Sequence, residues 1–321
     1  MRCKIMKKKF LFIIILSCLH LCVNAGKLNF TYSFSGDMEM TLEIDEIERK
    51  YFVHIPEGYN SEELFPLVFV LHGGGGNAER IGKFTGFTQL SDKEKFIVVY
   101  PLGYDKHWND GRTDVKSKAH QENINDILFF DEMISALTLL FKIDIKRIYV
   151  TGISNGAMMS FRIACELSDK ITAIAAVAGS IPEDIIGNCS PAAQVSVLVI
   201  NGVEDELVPF DGGQVKVFNK TRGKVIPTLE TIEKWVLHNK CPVKPTAMFE
   251  IDTDKNDGTK ILVQEYENKD TGVAVVLYRV EGGGHTWPGA KQYLPEYFIG
   301  KTNHDINATQ VIWDFFKNKS K

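Results

Sequence analysis

Apolar residues in this chain fall into short continuous runs that end in glycine or a polar turn, separated by stretches with helical spacing. The run Leu67–Leu71 empties into four glycines at positions 73–76, and "KFIVVYPLG" forms a second run ending near Tyr100. "RIYVTG", "ITAIAAVAGS", "VSVLVINGVED" and "VAVVLYRVEGGGH" supply four more. Runs this apolar read as strands buried on both faces. "NINDILFFDEMISALTLLF" repeats apolar residues at helical spacing and predicts a long helix before "RIYVTG". Asn155 to Leu167 predicts another helix, and "NATQVIWDFFKN" predicts a closing amphipathic helix with Asn307 as its N-cap. Nearer the start, "MEMTLEID" and "RKYFVHIP" predict a hairpin that turns at Asp45–Glu48. Buried strands alternating with helices describe a mostly parallel sheet covered on both faces. No Pro/Ser-rich linker or internal repeat interrupts the pattern, so residues 26–321 are expected to form one domain. "DTDKNDG" (252–258) resembles a calcium loop, but its glycine comes one position late and Val263 replaces the bidentate Glu. It reads as a hairpin tip.

The first residues follow a different rule. Lys4 and Lys7 to Lys9 precede "FLFIIILSCLHLCV", an apolar run too short for a comfortable membrane span. Val23 and Ala25 are small, as a cleavage site requires, so residues 1–25 read as a signal peptide and the protein as secreted or periplasmic. An uncleaved anchor and acylation at Cys18 are the alternatives. Cys3, Cys18 and Cys22 leave with this segment, and Cys165, Cys189 and Cys241 remain. Cys165 lies in the helical pattern "FRIACEL" and reads as a buried thiol, which leaves Cys189–Cys241 as the expected pair. A formal net charge of −4 argues against the basic face of a nucleic-acid binder, and 44% hydrophobic residues are ample for a core. No Cys/His spacing resembles a zinc site, and no metal or cofactor is expected.

Chemistry concentrates where strands end. Gly152-Ile153-Ser154-Asn155-Gly156 is a G-x-S-x-G, a common pattern that gains weight from the strand before it and the helix after it. A serine on such a strained turn can act as a nucleophile, and the helix N-terminus behind it offers free N–H groups to a developing oxyanion. Serine needs a base to take its proton. His285, in "EGGGHTWPG" directly after a predicted strand, fits best. His72 follows a strand but precedes Ser154, His304 reads as a helix-capping or packing residue, and His107 and His120 lie in polar loops. Asp205, in the loop after "VSVLVIN", is the candidate carboxylate, with Glu204, Glu206 and Asp211 as local competitors. The order Ser154, Asp205, His285 is that of α/β-hydrolases. Backbone N–H groups of Asn155 and of Gly73 and Gly74, in "LHGGGGN", are the expected oxyanion donors. That glycine loop lacks the endings of a phosphate-binding loop.

"LHGGGGNAE", "FIVVYPLG", "WNDGR", "YVTGISNGAMMSFRIACEL", "NGVEDELVPFDGG", "EGGGHTWPG" and "DINATQVIWDFF" together resemble the polyhydroxybutyrate depolymerase/feruloyl esterase-like family of secreted α/β-hydrolases. The resemblance spans roughly Lys50 to Phe316. It implies an α/β-hydrolase fold, Ser154 as nucleophile, Asp205 as acid and His285 as base, without cofactor or metal. It also implies that Trp108 and Trp287 sit near the acyl-binding cleft. Asn201 and Gly74 depart from the family's usual histidine and cysteine, and the usual cysteine near Asn268 is missing, which puts the family's disulfide pattern in doubt. The expected substrate is a hydroxycinnamoyl or acetyl ester on plant cell-wall polysaccharide, with a polyhydroxyalkanoate ester as the alternative. The absence of an added binding module in the sequence favours the first. A hydrolase fold that has lost catalysis is the reading from another class, and the intact Ser154, Asp205 and His285 speak against it.

Overall fold

The strand at the sheet's edge alternates and the central ones do not. In the computed structural model, which describes residues 36–218 and 220–321, β1 (Gly36–Ile44) points Met38, Met40 and Leu42 at the core and Asp37, Glu39, Thr41 and Glu43 outward. The proposed signal peptide, with Cys18, lies outside the described residues. β2 (Ile47–Ile55) pairs antiparallel with β1 through a two-residue turn. Asp45 and Glu46 both take positive φ, 49° and 64°, as a twisted two-residue hairpin requires.

The chain continues through β3 (Phe65–Leu71), α1 (Ala78–Thr85), α2 (Phe87–Glu94), β4 (Ile97–Pro101), α3 (Lys118–Gln121), α4 (Asp126–Leu140), β5 (Ile143–Ile153) and α5 (Asn155–Glu166). There follow β6 (Ala173–Val177), β7 (Ser196–Gly202), β8 (Gly213–Val217), β9 (Lys220–Val225), α6 (Thr228–His238), β10 (Ala247–Ile251), β11 (Lys260–Glu267), β12 (Ala274–Glu281), α7 (Glu296–Ile299) and α8 (Ala308–Phe316). Among the described residues ten strands form one sheet, in the order β1-β2-β4-β3-β5-β6-β7-β12-β11-β10, and β8 and β9 form a separate hairpin. The centre, β4-β3-β5-β6-β7-β12, is parallel. β10 and β11 are antiparallel, so "DTDKNDG" is a hairpin tip as expected.

Every residue of β3, β4, β6 and β7 is buried, as strands covered on both faces must be. Within β3, Leu67, Phe69 and Leu71 join one core with Phe129, Phe130 and Met133 of α4, whereas Val68 and Val70 join a second core with Phe87 of α2 and Trp313 of α8. The helices are capped from the sequence. Asn77, Asn125 and Asn307 accept from the backbone N–H three residues on, starting α1, α4 and α8.

The disulfide expectation is overturned. Cys165 bonds Cys189, with Cα atoms 4.9 Å apart, and Cys241 is free and buried. The last turn of α5 puts Cys165 at the rim of the core, and the chain returns beneath it through a 3₁₀ turn at Glu183–Ile185. Cys241 instead follows α6, its Sγ 3.7 Å from Val273 O. There the Asn268 amide donates to the carbonyls of Asn239 and Lys240, tying the same two segments without a covalent bond.

Candidate active site

Parallel strands end at one edge, and the candidate residues gather there. β5 delivers Ser154 at φ 58° and ψ −121°, a strained conformation for a residue with a Cβ. The Ser154 N–H donates to Val177 O, and Met158 N–H donates to Ser154 O as α5 begins. Both flanking glycines are sterically required: a Cβ on Gly156 would stand 2.6 Å from Leu71 O, and one on Gly152 would stand 2.8 Å from Leu71 Cβ. The Asn155 N–H lies in the first turn of α5, where no intrahelical acceptor exists.

Glycines also press the ends of β7 and β12 together. A Cβ on Gly202 would meet Gly283 O at 2.3 Å, and Glu204 N–H donates to Gly283 O. This close approach brings the loop after β7 against the loop after β12. Asp205 Oδ2 then accepts from His285 Nδ1 at 2.7 Å, while Asp205 Oδ1 accepts from the N–H groups of Leu207 and Val208, each at 2.8 Å. A carboxylate so held fixes the proton on Nδ1 and leaves the Nε2 lone pair for a substrate proton. Asp205 and His285 are buried, whereas Glu204, Glu206 and Asp211 are exposed. Ser154 and His285 line the same cavity.

The glycine loop after β3 is held by His72. This buried ring donates from Nδ1 to Gly73 O (2.8 Å) and accepts at Nε2 from Gly103 N–H (3.0 Å). Gly75 N–H donates to Lys106 O and Gly76 N–H to Gly73 O, so among the described residues the amides of Gly73 and Gly74 are the ones left for a ligand. Burial lowers the His72 pKa from 6.5 to about 4, opposed by the bond to Gly73. Between those values the unfolded chain binds the extra proton. Stability present above pH 6.5 is therefore lost as pH falls towards 4, by about 3 kcal/mol. Denaturant unfolding at pH 7, 5.5 and 4.5 should show this slope in the wild type and a flatter one in His72→Gln. Equal slopes in the two proteins would remove the assignment.

The chain is similar to known proteins in sequence and in fold. Residues 49–203 match the family model described as Esterase PHB depolymerase. The protein named "Putative esterase NocK" of Nocardia uniformis subsp. tsuyamanensis is 29% identical over 280 residues, 83% of this chain and 78% of that one. Feruloyl esterase B of Piromyces equi is 29% identical over 265 residues, 76% of this chain; the match spans 45% of that longer protein. The solved ferulic acid esterase of the anaerobic fungus Anaeromyces mucronatus superposes with a TM-score of 0.54 at 17% identity, over 90% of this chain and 91% of the other. The chain is thus similar to the polyhydroxybutyrate depolymerase/feruloyl esterase-like family over the residues that its model matches and in fold. It is an α/β-hydrolase and a carboxylic ester hydrolase.

Behind the elbow of this esterase lies a polar cluster that the sequence hides. Asn155 accepts at Oδ1 from Trp108 N–H and donates from Nδ2 to Trp108 O and to Asp110 Oδ2 (2.7 Å). Asp110 is fully buried and also binds Arg112 (2.7 Å) and His120 Nε2 (3.0 Å). His120, which reads as a loop residue, is thus part of the esterase's interior. On the opposite side of the elbow, Asn201 accepts from Gly179 N–H and donates to Gly179 O, bracing the turn after β6. His304 is exposed and caps nothing; Asn307 is the N-cap.

Over Ser154 opens a cavity of about 1400 Å³ that also contains His285 and the 73–76 loop. Neither tryptophan expected at the acyl cleft lines it. Trp108 is fully buried, its indole N–H donated to His72 O, and Trp287 is buried with its indole N–H on Thr309 Oγ1. Each turns inward because its one polar atom finds a partner there. The aromatic faces of the cleft come instead from Phe84, Phe218, Tyr293 and Phe298. A smaller hollow of about 500 Å³, beside Cys189 and Trp235, holds none of these residues.

Proposed function

We propose that this esterase is an exported serine hydrolase, one domain over residues 26–321, that cleaves hydroxycinnamoyl or acetyl esters on plant cell-wall polysaccharide. The observation that carries the reading is the Asp205–His285 hydrogen bond facing the cavity that Ser154 enters from a strained turn. Ser154 Oγ attacks the ester carbonyl as His285 Nε2 takes its proton, and Asp205 stabilises the imidazolium. The N–H of Asn155 and those of Gly73 and Gly74 hold the tetrahedral oxygen. His285 returns the proton to the departing alcohol, and the acyl group stays on Ser154. A water deprotonated by His285 then attacks the acyl-enzyme, and the same steps in reverse sense free the acid.

Size and lining support a large, planar acyl group. The cavity exceeds the volume a drug-sized ligand needs, and Phe84 and Tyr293, in edge contact at 5.7 Å, offer ring faces to a hydroxycinnamoyl group. The family model's own description favours polyhydroxyalkanoate cleavage as the second reading. The basic and apolar pattern of residues 4–25 supports export.

A fluorophosphonate probe should label the peptide that contains Ser154, and absence of labelling would overturn the serine mechanism. The substrate is separated by a hydrolysis panel of methyl ferulate, acetylated xylan and a hydroxybutyrate oligomer. Turnover of the first two supports the polysaccharide reading, and turnover of the oligomer alone overturns it.

A further inference from the structure

The walls of the esterase cavity are charged in one sense only. Six Lys and Arg residues line it, and among the described residues no Asp or Glu does, in a chain whose formal net charge is −4. Two of the six are already neutralised: Arg112 by buried Asp110, and Lys83 by Glu79. The other four, Arg80, Lys220, Arg222 and Lys291, have no carboxylate within ion-pair distance among the described residues. Unpaired cations focused in a concave site raise the local concentration of anions.

Arg222 is the best placed of them. It stands on β9, where Lys220 and Arg222, two residues apart, share one face and both border the cavity. Its backbone is anchored: Arg222 O accepts from Arg112 Nη1, and Gln214 Nε2 donates to Gly223 O at 2.6 Å. Gly223, at φ 73°, leaves room for Arg112, since a Cβ there would stand 3.0 Å from Arg112 Cβ. The Asp110–Arg112 pair therefore fixes both Asn155, behind the reacting serine, and the strand that carries Arg222. The Arg222 side chain is only half-buried and borders the same cavity as His107, whose ring lies against Gly74. Burial lowers the His107 pKa, the bond to Asp105 O opposes this, and the Arg222 charge adds to the lowering.

We propose that Arg222, supported by Lys220, is a specificity-determining residue that binds a carboxylate on the substrate, so that the enzyme prefers esters carried on an acidic molecule. The inference rests on the serine-esterase reading and names the substrate class of that same site. Guanidinium forks bind carboxylates through two parallel hydrogen bonds, which suits a fixed strand position better than a flexible amine. Two sources present this chemistry beside an ester: a uronic acid branch on an acylated polysaccharide, and the free end of a hydroxyacid oligomer.

The test uses two matched pairs with the full-length enzyme. One pair is acetylated xylo-oligosaccharide with and without a glucuronic acid branch. The other is the 3-hydroxybutyrate dimer as its free acid and as its N-methylamide. The wild type should favour the acidic member of at least one pair by about tenfold or more in kcat/KM, carried by KM. Which pair shows the preference identifies the source. In Arg222→Gln the ratio should fall towards one, in Arg222→Glu it should invert, and added salt should shrink the wild-type ratio. Equal rates on both members of both pairs overturn the inference while leaving the esterase reading intact. So does an Arg222→Gln variant that slows both members alike with the ratio unchanged. No hydrolysis of any member overturns the esterase reading itself, and this inference with it.

Discussion

Ser154→Ala is expected to lower kcat for ester hydrolysis by about 10⁴- to 10⁶-fold and to leave the unfolding transition nearly unmoved. The turn that holds residue 154 is built from backbone, not from the hydroxyl. Ser154 N–H bonds Val177 O, Met158 N–H bonds Ser154 O, and Gly152 and Gly156 admit the neighbouring strand. Alanine keeps the same Cβ at φ 58° and meets the same strain. His285→Ala should cost a similar amount, because an unactivated hydroxyl is a poor nucleophile. The informative variant is the double one. If serine and histidine act in a single step, Ser154→Ala/His285→Ala will be no slower than either single variant by more than a few-fold. Rates measured on p-nitrophenyl acetate decide this, with thermal unfolding as the control. Multiplicative losses, or a Ser154→Ala enzyme that keeps a tenth of its rate, would overturn the mechanism.

What the chain reveals about itself follows from what fixes each residue. Ser154, Asp205 and His285 are legible because each follows a buried strand, and parallel strands deliver their ends to one edge. Direction is less legible than position. Trp287 stands two residues from His285, yet its ring turns to Thr309 and Phe87 rather than to the cleft. The Cys165–Cys189 bond is hidden for a similar reason: helical periodicity marks Cys165 as apolar without saying that it sits at the helix's end. β8 and β9 carry little signal, since "GQVKV" and "KTRGKV" are mostly polar with a glycine inside. That hairpin is held by a bond from the Arg112 side chain to Arg222 O and by backbone bonds such as Lys216 N–H to Leu207 O, which only tertiary structure supplies. The eight-residue helices α1 and α2 are too short for their periodicity to stand out. Nothing local to "WNDGR" reports that Asp110 is buried among three partners, Arg112, His120 and Asn155.

Asp110→Ala therefore tests the part of the site that sequence could not reach, and the expected loss of stability is about 3–5 kcal/mol. Among the described residues the variant removes the only carboxylate paired with Arg112, whose side chain is 4% exposed, and strips a partner from His120 and from Asn155 Nδ2. An uncompensated buried guanidinium, rather than the lost attraction itself, supplies most of this cost. Burial alone would raise the Asp110 pKa, but Arg112 and His120 outweigh it and hold the carboxyl well below the usual range. A carboxylate depressed in the folded state contributes stability that is present above pH 4 and lost only as pH falls through the folded value. The difference between wild type and variant should thus be flat from pH 5 to 8 in denaturant unfolding. Activity should fall as well, because the side chain of Asn155, whose backbone amide is the proposed oxyanion donor, would keep its Trp108 contacts and lose Asp110. A tenfold drop in kcat with little change in KM is expected, since displaced donors weaken the transition state more than the bound ester. Asp110→Asn separates charge from shape. It retains an acceptor for Arg112 and much of the packing, so it should lose less kcat than Asp110→Ala while still losing stability at neutral pH. If both variants unfold like the wild type and keep its kcat, the cluster is not what holds Asn155 in place, and the elbow must be rigid through its glycine contacts alone.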